Sequence, residues 1–275
     1  MNQRLEILPG IGLTGSYRRL VALIVPLLVL PLLTACAGTP PTAEPTSQTA
    51  DDSQDWYSEA LHWTRTSAEH RAILEQTFKL AAQRIEVLAA GRAPGTWAIA
   101  ADADETLVDN SQYDLEVKRA GEEFNTESWH AWVRREAAPA LPGAVAFIDR
   151  VKALGGVVAV VTNRRTEVCA PTARNLKDVG IAFDVVLCRE EDGQKEPRWD
   201  AVAAGQTTEW PEAQFSDAGA PGPVEILMWL GDNIGDFPDL DQSARQQPGE
   251  LEGFGDRFIA LPNPMYGSWE DNPKQ

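Results

Sequence analysis

Residues Trp97–Tyr113 read WAIAADADETLVDNSQY, and the rest of the chain is organised around them. The apolar run Trp97–Ala101 has the length of a buried parallel strand. It ends on Asp102 and Asp104, one residue apart, followed by Glu105 and Thr106. In an open α/β sheet, ligands sit beyond the carboxyl ends of the strands. An Asp-x-Asp there puts two carboxylates at the floor of a crevice. One can attack phosphorus and help hold a hard cation; the other can pass a proton to and from a leaving oxygen. Alone, the same residues also read as an Asp-rich turn.

Further along the chain the pattern repeats. Val157–Val161 (VVAVV) is a second buried strand running into Thr162-Asn163-Arg164-Arg165, where a hydroxyl and fresh N–H groups ahead of a helix suit a phosphate oxygen. A third strand, Phe183–Leu187, leads to Gln194-Lys195-Glu196-Pro197-Arg198. The fourth, Glu225–Leu230, delivers Gly231-Asp232-Asn233-Ile234-Gly235-Asp236-Phe237, with two acids placed to take a hard cation. The ligand spacing of an EF-hand, the competing reading of that loop, is absent. Arg257–Leu261 is a last strand, leading to Pro262–Trp269.

Between these strands the helical pattern is clear. Leu61, Ala68, Ile73, Leu74, Phe78, Leu80, Ala81, Ile85 and Leu88 recur at helical spacing over Trp56–Leu88, in one or two helices stopped by Gly91 and Pro94. The region Asp114–Ala138 holds a helix start at Thr126 and a Trp129/Trp132 pair on one helical face, and reads as a small cap inserted after the first strand, over about 112–140. Pro142 opens a helix ended by Gly155-Gly156; Thr166–Val179 is another, ended by Gly180. Residues 205–223 read as an irregular surface insertion.

The amino terminus predicts export. Arg18 and Arg19 precede the apolar run Leu20–Leu33, which has the proportions of a signal h-region. It closes on Leu33-Thr34-Ala35-Cys36, which resembles a bacterial lipobox, with residues 1–35 as signal peptide and Cys36 lipidated. An ordinary cleaved signal is the alternative, and the Arg pair leaves a twin-arginine route open. Residues 36–54, rich in Pro, Thr, Ser, Ala and Asp, read as a disordered tether, and 55–275 as the folded domain. Of the other cysteines, Cys169 and Cys188 suit a disulfide in an exported protein; two small buried hydrophobes is the other reading. The net charge of −17 argues against polymeric nucleic acid as a partner. A phosphate site on such a chain must make its own local positive field from a metal ion or a few placed cations.

Four strand ends carrying DADET, TNR, a Lys ahead of a helix and GDNIGDF, in that order, resemble the haloacid dehalogenase superfamily. DNSQY, GDNIGDF and LPNPMYGSWE narrow this to a resemblance to the class C bacterial acid phosphatases, the lipoprotein e family of 5′-nucleotidases. The lipobox and Trp63, Ser67, Ala68 and Glu69 agree with it. The resemblance implies a three-layer α/β/α sandwich with a mostly parallel central sheet and a small, mainly helical cap. It implies Asp102 as nucleophile forming an aspartyl-phosphate and Asp104 as general acid and then base. It implies Mg²⁺ on Asp102, Asp232 and the Asp104 carbonyl, with Asp236 beside it, and Thr162, Asn163 and Lys195 on the phosphoryl oxygens. Lys195 and Mg²⁺ then keep Asp102 ionised, while Asp104, farther from the cations, holds a proton at mildly acid pH.

By the same resemblance, aromatic side chains sandwich a nucleobase, the candidates being Trp129, Trp132, Tyr266 and Trp269. The expected substrate is a small phosphomonoester, preferentially a nucleoside monophosphate, met outside the cytoplasm by a protein lipid-anchored to a bacterial membrane, at the outer membrane, its periplasmic face or the cell surface. The family also implies a possible homodimer. A non-catalytic surface-binding lipoprotein that keeps the fold is the competing function. A dehalogenase, which needs neither Asp104 as acid nor a metal site, fits the double motif less well.

Overall fold

The structure, a computed structural model, describes residues 57–274. The expected signal peptide, the expected lipidation site at Cys36 and the expected tether lie outside the described residues.

The core is a six-stranded sheet in the order β4-β3-β2-β1-β5-β6. Its strands are β1 (Trp97–Ala101), β2 (Val157–Arg165), β3 (Val185–Arg189), β4 (Gln214–Phe215), β5 (Glu225–Gly231) and β6 (Phe258–Ala260). All neighbours pair in parallel except β3 and β4, which are antiparallel. The chain steps from β1 outward through β2 to β3, then returns to lay β5 on the other side of β1. The order in which strands are added therefore reverses between β1 and β5, and the carboxyl ends of these two parallel strands border the crevice such a switch creates.

Alternation along the strands divides the core into two layers. Ile99, Val158, Val160 and Leu230 face one side, against Phe78 and Ile85 of α2 (Ala68–Leu88), Phe147 and Val151 of α5 (Ala144–Ala153) and Leu176 of α6 (Cys169–Asp178). Ala98, Ala100, Ala159 and Leu187 face the other, under Trp199 and Val202 of α7 (Glu196–Ala204). The result is a three-layer α/β/α sandwich. The small alanines of β1 let helices approach closely on both faces.

The amino-terminal helical stretch is two helices. Ser67 is extended (φ −81°, ψ 138°), so it ends α1 (Glu59–Thr66), and its side chain accepts the His70 amide to cap α2. Between β1 and α5 stand α3 (Ser111–Ala120) and α4 (Thr126–Arg134). Asn125 caps α4 by accepting the Ser128 amide. Tyr113, Val117, Trp132 and Val133 join these two helices to the core.

Two expectations change. β2 continues four residues past its apolar run, with a register shift against β3 between Thr162 and Arg165. Residues 205–223 are not wholly irregular: they contribute β4 at the sheet edge, and Trp210 donates from its indole to the Cys188 carbonyl at 2.7 Å. Cys169 and Cys188 are joined as a disulfide, Cα atoms 5.8 Å apart, tying the start of α6 to β3.

Candidate active site

The Asp102 amide donates to the Leu230 carbonyl at 2.9 Å, locking the end of β1 to the end of β5. The chain then turns tightly: Leu107 and Val108 both donate to the Ala103 carbonyl, and Glu105 adopts φ 48°. A left-handed non-glycine residue at this point is held by its surroundings, since Glu105 Oε1 accepts the Asn110 amide at 2.7 Å. The turn leaves Asp102 and Asp104 on the floor of a cavity of about 730 Å³. Asn163, Arg164, Lys195, Asp232 and Asp236 also line it.

Lys195 is buried, and its ammonium bridges two carboxylates, 2.5 Å from Asp102 Oδ1 and 2.6 Å from Asp236 Oδ1. Burial favours the neutral amine, but Asp102 and Asp236 outweigh it and raise the Lys195 pKa, so the amine stays charged. The far oxygen of Asp236 accepts the Asn233 amide at 2.9 Å. Gly231 makes this possible: a Cβ there would overlap the Asp236 carboxylate. Asp232 Oδ2 accepts from Asn263 at 2.8 Å, which draws the carboxyl-terminal segment onto the site. Ser268 does the same by donating to Asn233 Oδ1 at 2.8 Å.

The acids outnumber the cations. Burial, opposed by Lys195 and reinforced by Asp236 and Asp104, pushes Asp102 up to about 7. Burial and the charges of Asp236 and Asp102 push Asp232 well above the usual carboxylate range. Burial with Asp104 and Asp232 does the same to Glu105. One lysine is thus insufficient to keep Asp102 ionised near neutrality. Asp102, Asp232 and Asp236 each offer an oxygen, all within 4.8 Å of one another. An oxygen-only carboxylate set with excess negative charge fits a hard divalent cation and not a soft one.

Asp104 stands apart from the lysine but not from positive charge. The Arg164 guanidinium, itself buried, lies on it: Nη2 donates to Asp104 Oδ1 at 2.7 Å, and Nε reaches both oxygens at 2.9 and 3.2 Å. Asn110 donates to the same Oδ1 at 2.8 Å. The expectation that Asp104 is remote from cations is therefore corrected. Arg164 escaped the sequence reading because the apolar run of β2 stops at Val161. Extending its alternation would have put Thr162 and Arg164 on one face.

That extension also relocates Thr162. Its side chain is fully buried and does not line the cavity; its hydroxyl accepts the Arg164 amide at 3.1 Å. Asn163 is exposed on the cavity wall. Arg198 fixes both residues from behind, donating to the Thr162 carbonyl and, at 2.7 Å, to Asn163 Oδ1. The same guanidinium reaches the carbonyls of Gly193 and Gln194, so it clamps the loop before Lys195 to the end of β2.

Of the four aromatic candidates, Trp129 and Tyr266 line the cavity. Trp132 does not: it is buried, and its indole donates to Asn110 Oδ1 at 2.9 Å, so it packs the base of α4. Trp269 is exposed off the cavity, its indole donating to the Tyr266 carbonyl. Tyr113 and the exposed Phe124 take their places on the wall. Tyr113 meets Trp129 edge-on, ring centres 5.0 Å apart. Phe124 lies in a glutamate-rich loop whose sequence carries no periodic signal.

A carboxylate pair at the switch point of a parallel sheet, beside a buried ammonium and an oxygen-only cation cluster, defines a phosphoryl-handling α/β enzyme as the class of protein. The sequence comparison agrees. Residues 36–269 match the family model described as HAD superfamily, subfamily IIIB (Acid phosphatase), and the chain belongs to that family. Among solved structures, the class C acid phosphatase from Bacillus anthracis is 27% identical with a TM-score of 0.64, over 77% of this chain and 85% of that one. The crystal structure of the same Bacillus anthracis enzyme with tungstate bound matches with a TM-score of 0.65 at the same identity and coverage. The protein is a phosphoric monoester hydrolase with a small-molecule phosphate substrate. The non-catalytic and dehalogenase readings are set aside.

Proposed function

We propose that this protein is a Mg²⁺-dependent acid phosphatase that hydrolyses nucleoside monophosphates and similar esters through an aspartyl-phosphate on Asp102. The observation that carries the reading is the convergence of Asp102, Asp104, Lys195, Asp232 and Asp236 on one cavity. Asp102, Asp232, the Asp104 carbonyl and Asp236 are the groups that would hold the ion. Bound there, Mg²⁺ supplies positive charge to the transferring phosphoryl group and to the Asp102 carboxylate.

The remaining work falls to the chain. Lys195 and the backbone N–H of Asn163 orient and neutralise the phosphoryl oxygens. The Asp102 carboxylate attacks phosphorus, and the ester oxygen leaves with a proton from Asp104. Asp104 then takes a proton from water as that water attacks the phosphorus of the aspartyl-phosphate. Inorganic phosphate departs, and Asp102 is regenerated. Arg164 and Asn110 act through Asp104 by fixing where its oxygens point. α3, α4 and the segment Pro262–Glu270 act as the cap that receives the leaving group, with Trp129, Tyr266, Tyr113 and Phe124 as its stacking faces. Stacking of this kind contributes about 1–3 kcal/mol per base.

The lipobox at Cys36 supports an exported lipoprotein, tethered through 36–54 to a bacterial membrane and working on phosphate esters outside the cytoplasm. A homodimer is compatible with this arrangement.

A phosphate-release screen over nucleoside monophosphates and simple aryl phosphates, with Mg²⁺ and then with chelator, tests the reading. Metal-dependent release, fastest for nucleotides, is expected. Release that is indifferent to chelator, or no faster for nucleotides than for alkyl phosphates, overturns the corresponding part.

A further inference from the structure

The cavity is electrically divided, and the division bears on which leaving groups it accepts. Its two lining cations, Lys195 and Arg164, are each held by an aspartate of the reaction end, Arg164 lying between that end and the Trp129 ring, 5.5 Å from the ring centre. The wall that faces the leaving group carries Tyr113, Phe124, Trp129 and Tyr266, and two further acids, Asp114 and Glu270. Asp114 stands on α3 next to Tyr113. Glu270 comes from a different part of the chain, the carboxyl-terminal segment that Asn263 and Ser268 strap to the metal loop.

Neither acid has a task in the chemistry described above. Asp114 Oδ2 is buried without a hydrogen-bond partner, and burial pushes its carboxyl up to about 6, with Lys118 opposing and Asp109 reinforcing. A half-buried carboxylate kept beside an aromatic wall costs stability, so its presence calls for a ligand that answers it. Glu270 is exposed and receives the Gly267 amide on Oε2 at 3.4 Å.

The geometry points to Asp114 and Glu270 as specificity-determining residues that select leaving groups which are neutral or cationic and rich in hydrogen-bond donors, and reject those bearing a second negative charge. The inference rests on the reading of Asp102 as the reaction centre, since that fixes which end of the cavity receives the leaving group. Nucleosides and amino-alcohols suit such a wall; sugar acids and bisphosphates do not. Like charges brought together in a confined site are disfavoured more than opposite charges on an open surface are favoured, so the exclusion is the stronger half.

Three aryl phosphates that differ only in a remote group test this: 3-(aminomethyl)phenyl, 3-(hydroxymethyl)phenyl and 3-(carboxymethyl)phenyl phosphate, with Mg²⁺ at about pH 7.5, where Asp114 is ionised. The expected order of kcat/KM is amino, hydroxy, carboxy, spanning about tenfold or more. The double variant Asp114→Asn, Glu270→Gln narrows that span to less than about threefold, and raised salt narrows it in the wild type. Equal kcat/KM for all three, or a span unchanged in the variant, overturns the inference and leaves the phosphatase reading standing. No release from the hydroxymethyl ester removes the phosphatase reading instead. In that event the matching benzylphosphonates decide the charge filter by calorimetry: Kd rising from amino to carboxy sustains it, and equal Kd values overturn it.

Discussion

Titrating Mg²⁺ into metal-free protein at about pH 6 should drive protons off the acid cluster. The cation needs ionised carboxylates, and the chain alone does not supply them. With its carboxyl at about 7, Asp102 is about nine-tenths protonated at pH 6. Binding therefore releases about one proton from Asp102, and more from Asp232, whose carboxyl lies well above the ordinary range. The sign follows from the direction of the shift. A raised acid pKa means the free site holds a proton that the occupied site gives up, so affinity rises with pH. The rise is about tenfold per pH unit for each proton released, and it flattens once the pH passes the pKa of the free site. Calorimetry in two buffers of different ionisation enthalpy reads the proton count directly. Tight binding at pH 6 with no proton released, or an affinity flat from about pH 5 to 7, would refute the account of the cluster.

Other expectations follow from the same geometry. The Asp114 carboxyl is raised from 3.8 to about 6, so the folded state pays nothing below about pH 4 and carries a penalty above pH 6 that reaches about 3 kcal/mol at most. Asp114→Asn should thus raise Tm at pH 8 and leave it nearly unchanged at pH 4; thermal unfolding at the two values checks this. Arg164→Lys keeps the charge but loses the fork on Asp104, and should lower kcat by about 10- to 100-fold while Mg²⁺ affinity holds. An equal loss of Mg²⁺ affinity would mean that the arginine supports the metal cluster instead. Replacing Cys169 and Cys188 by Ala opens a loop of sequence separation 19 and should lower unfolding stability by about 3 kcal/mol, read by denaturant titration.

The sheet was legible because β1, β2, β3 and β5 are buried on both faces and so appear as short apolar runs. β4 was not: it is two residues in a polar stretch, and its pairing with β3 is decided by tertiary contact. The acids were legible through their recurrence at successive strand ends, since Asp102 and Asp104 alone also read as a turn. The groups that orient those acids were not. Arg164 sits beyond an apolar run, Asn110 looks like any helix-entry residue, and Arg198 reads as a surface cation until its four carbonyl and amide partners are seen. Trp129 and Trp132 share a helical face, yet one lines the cavity and the other is buried. Spacing places residues on a face; it does not say where along that face the core ends and the cavity begins.

The central claim is that Asp102 carries the phosphoryl group. Borohydride added during turnover reduces an aspartyl-phosphate to homoserine, and peptide mass analysis locates the change. The expected result is homoserine at position 102, dependent on substrate and on Mg²⁺. Sustained turnover with Asp102 unmodified, or label at another residue, would contradict it.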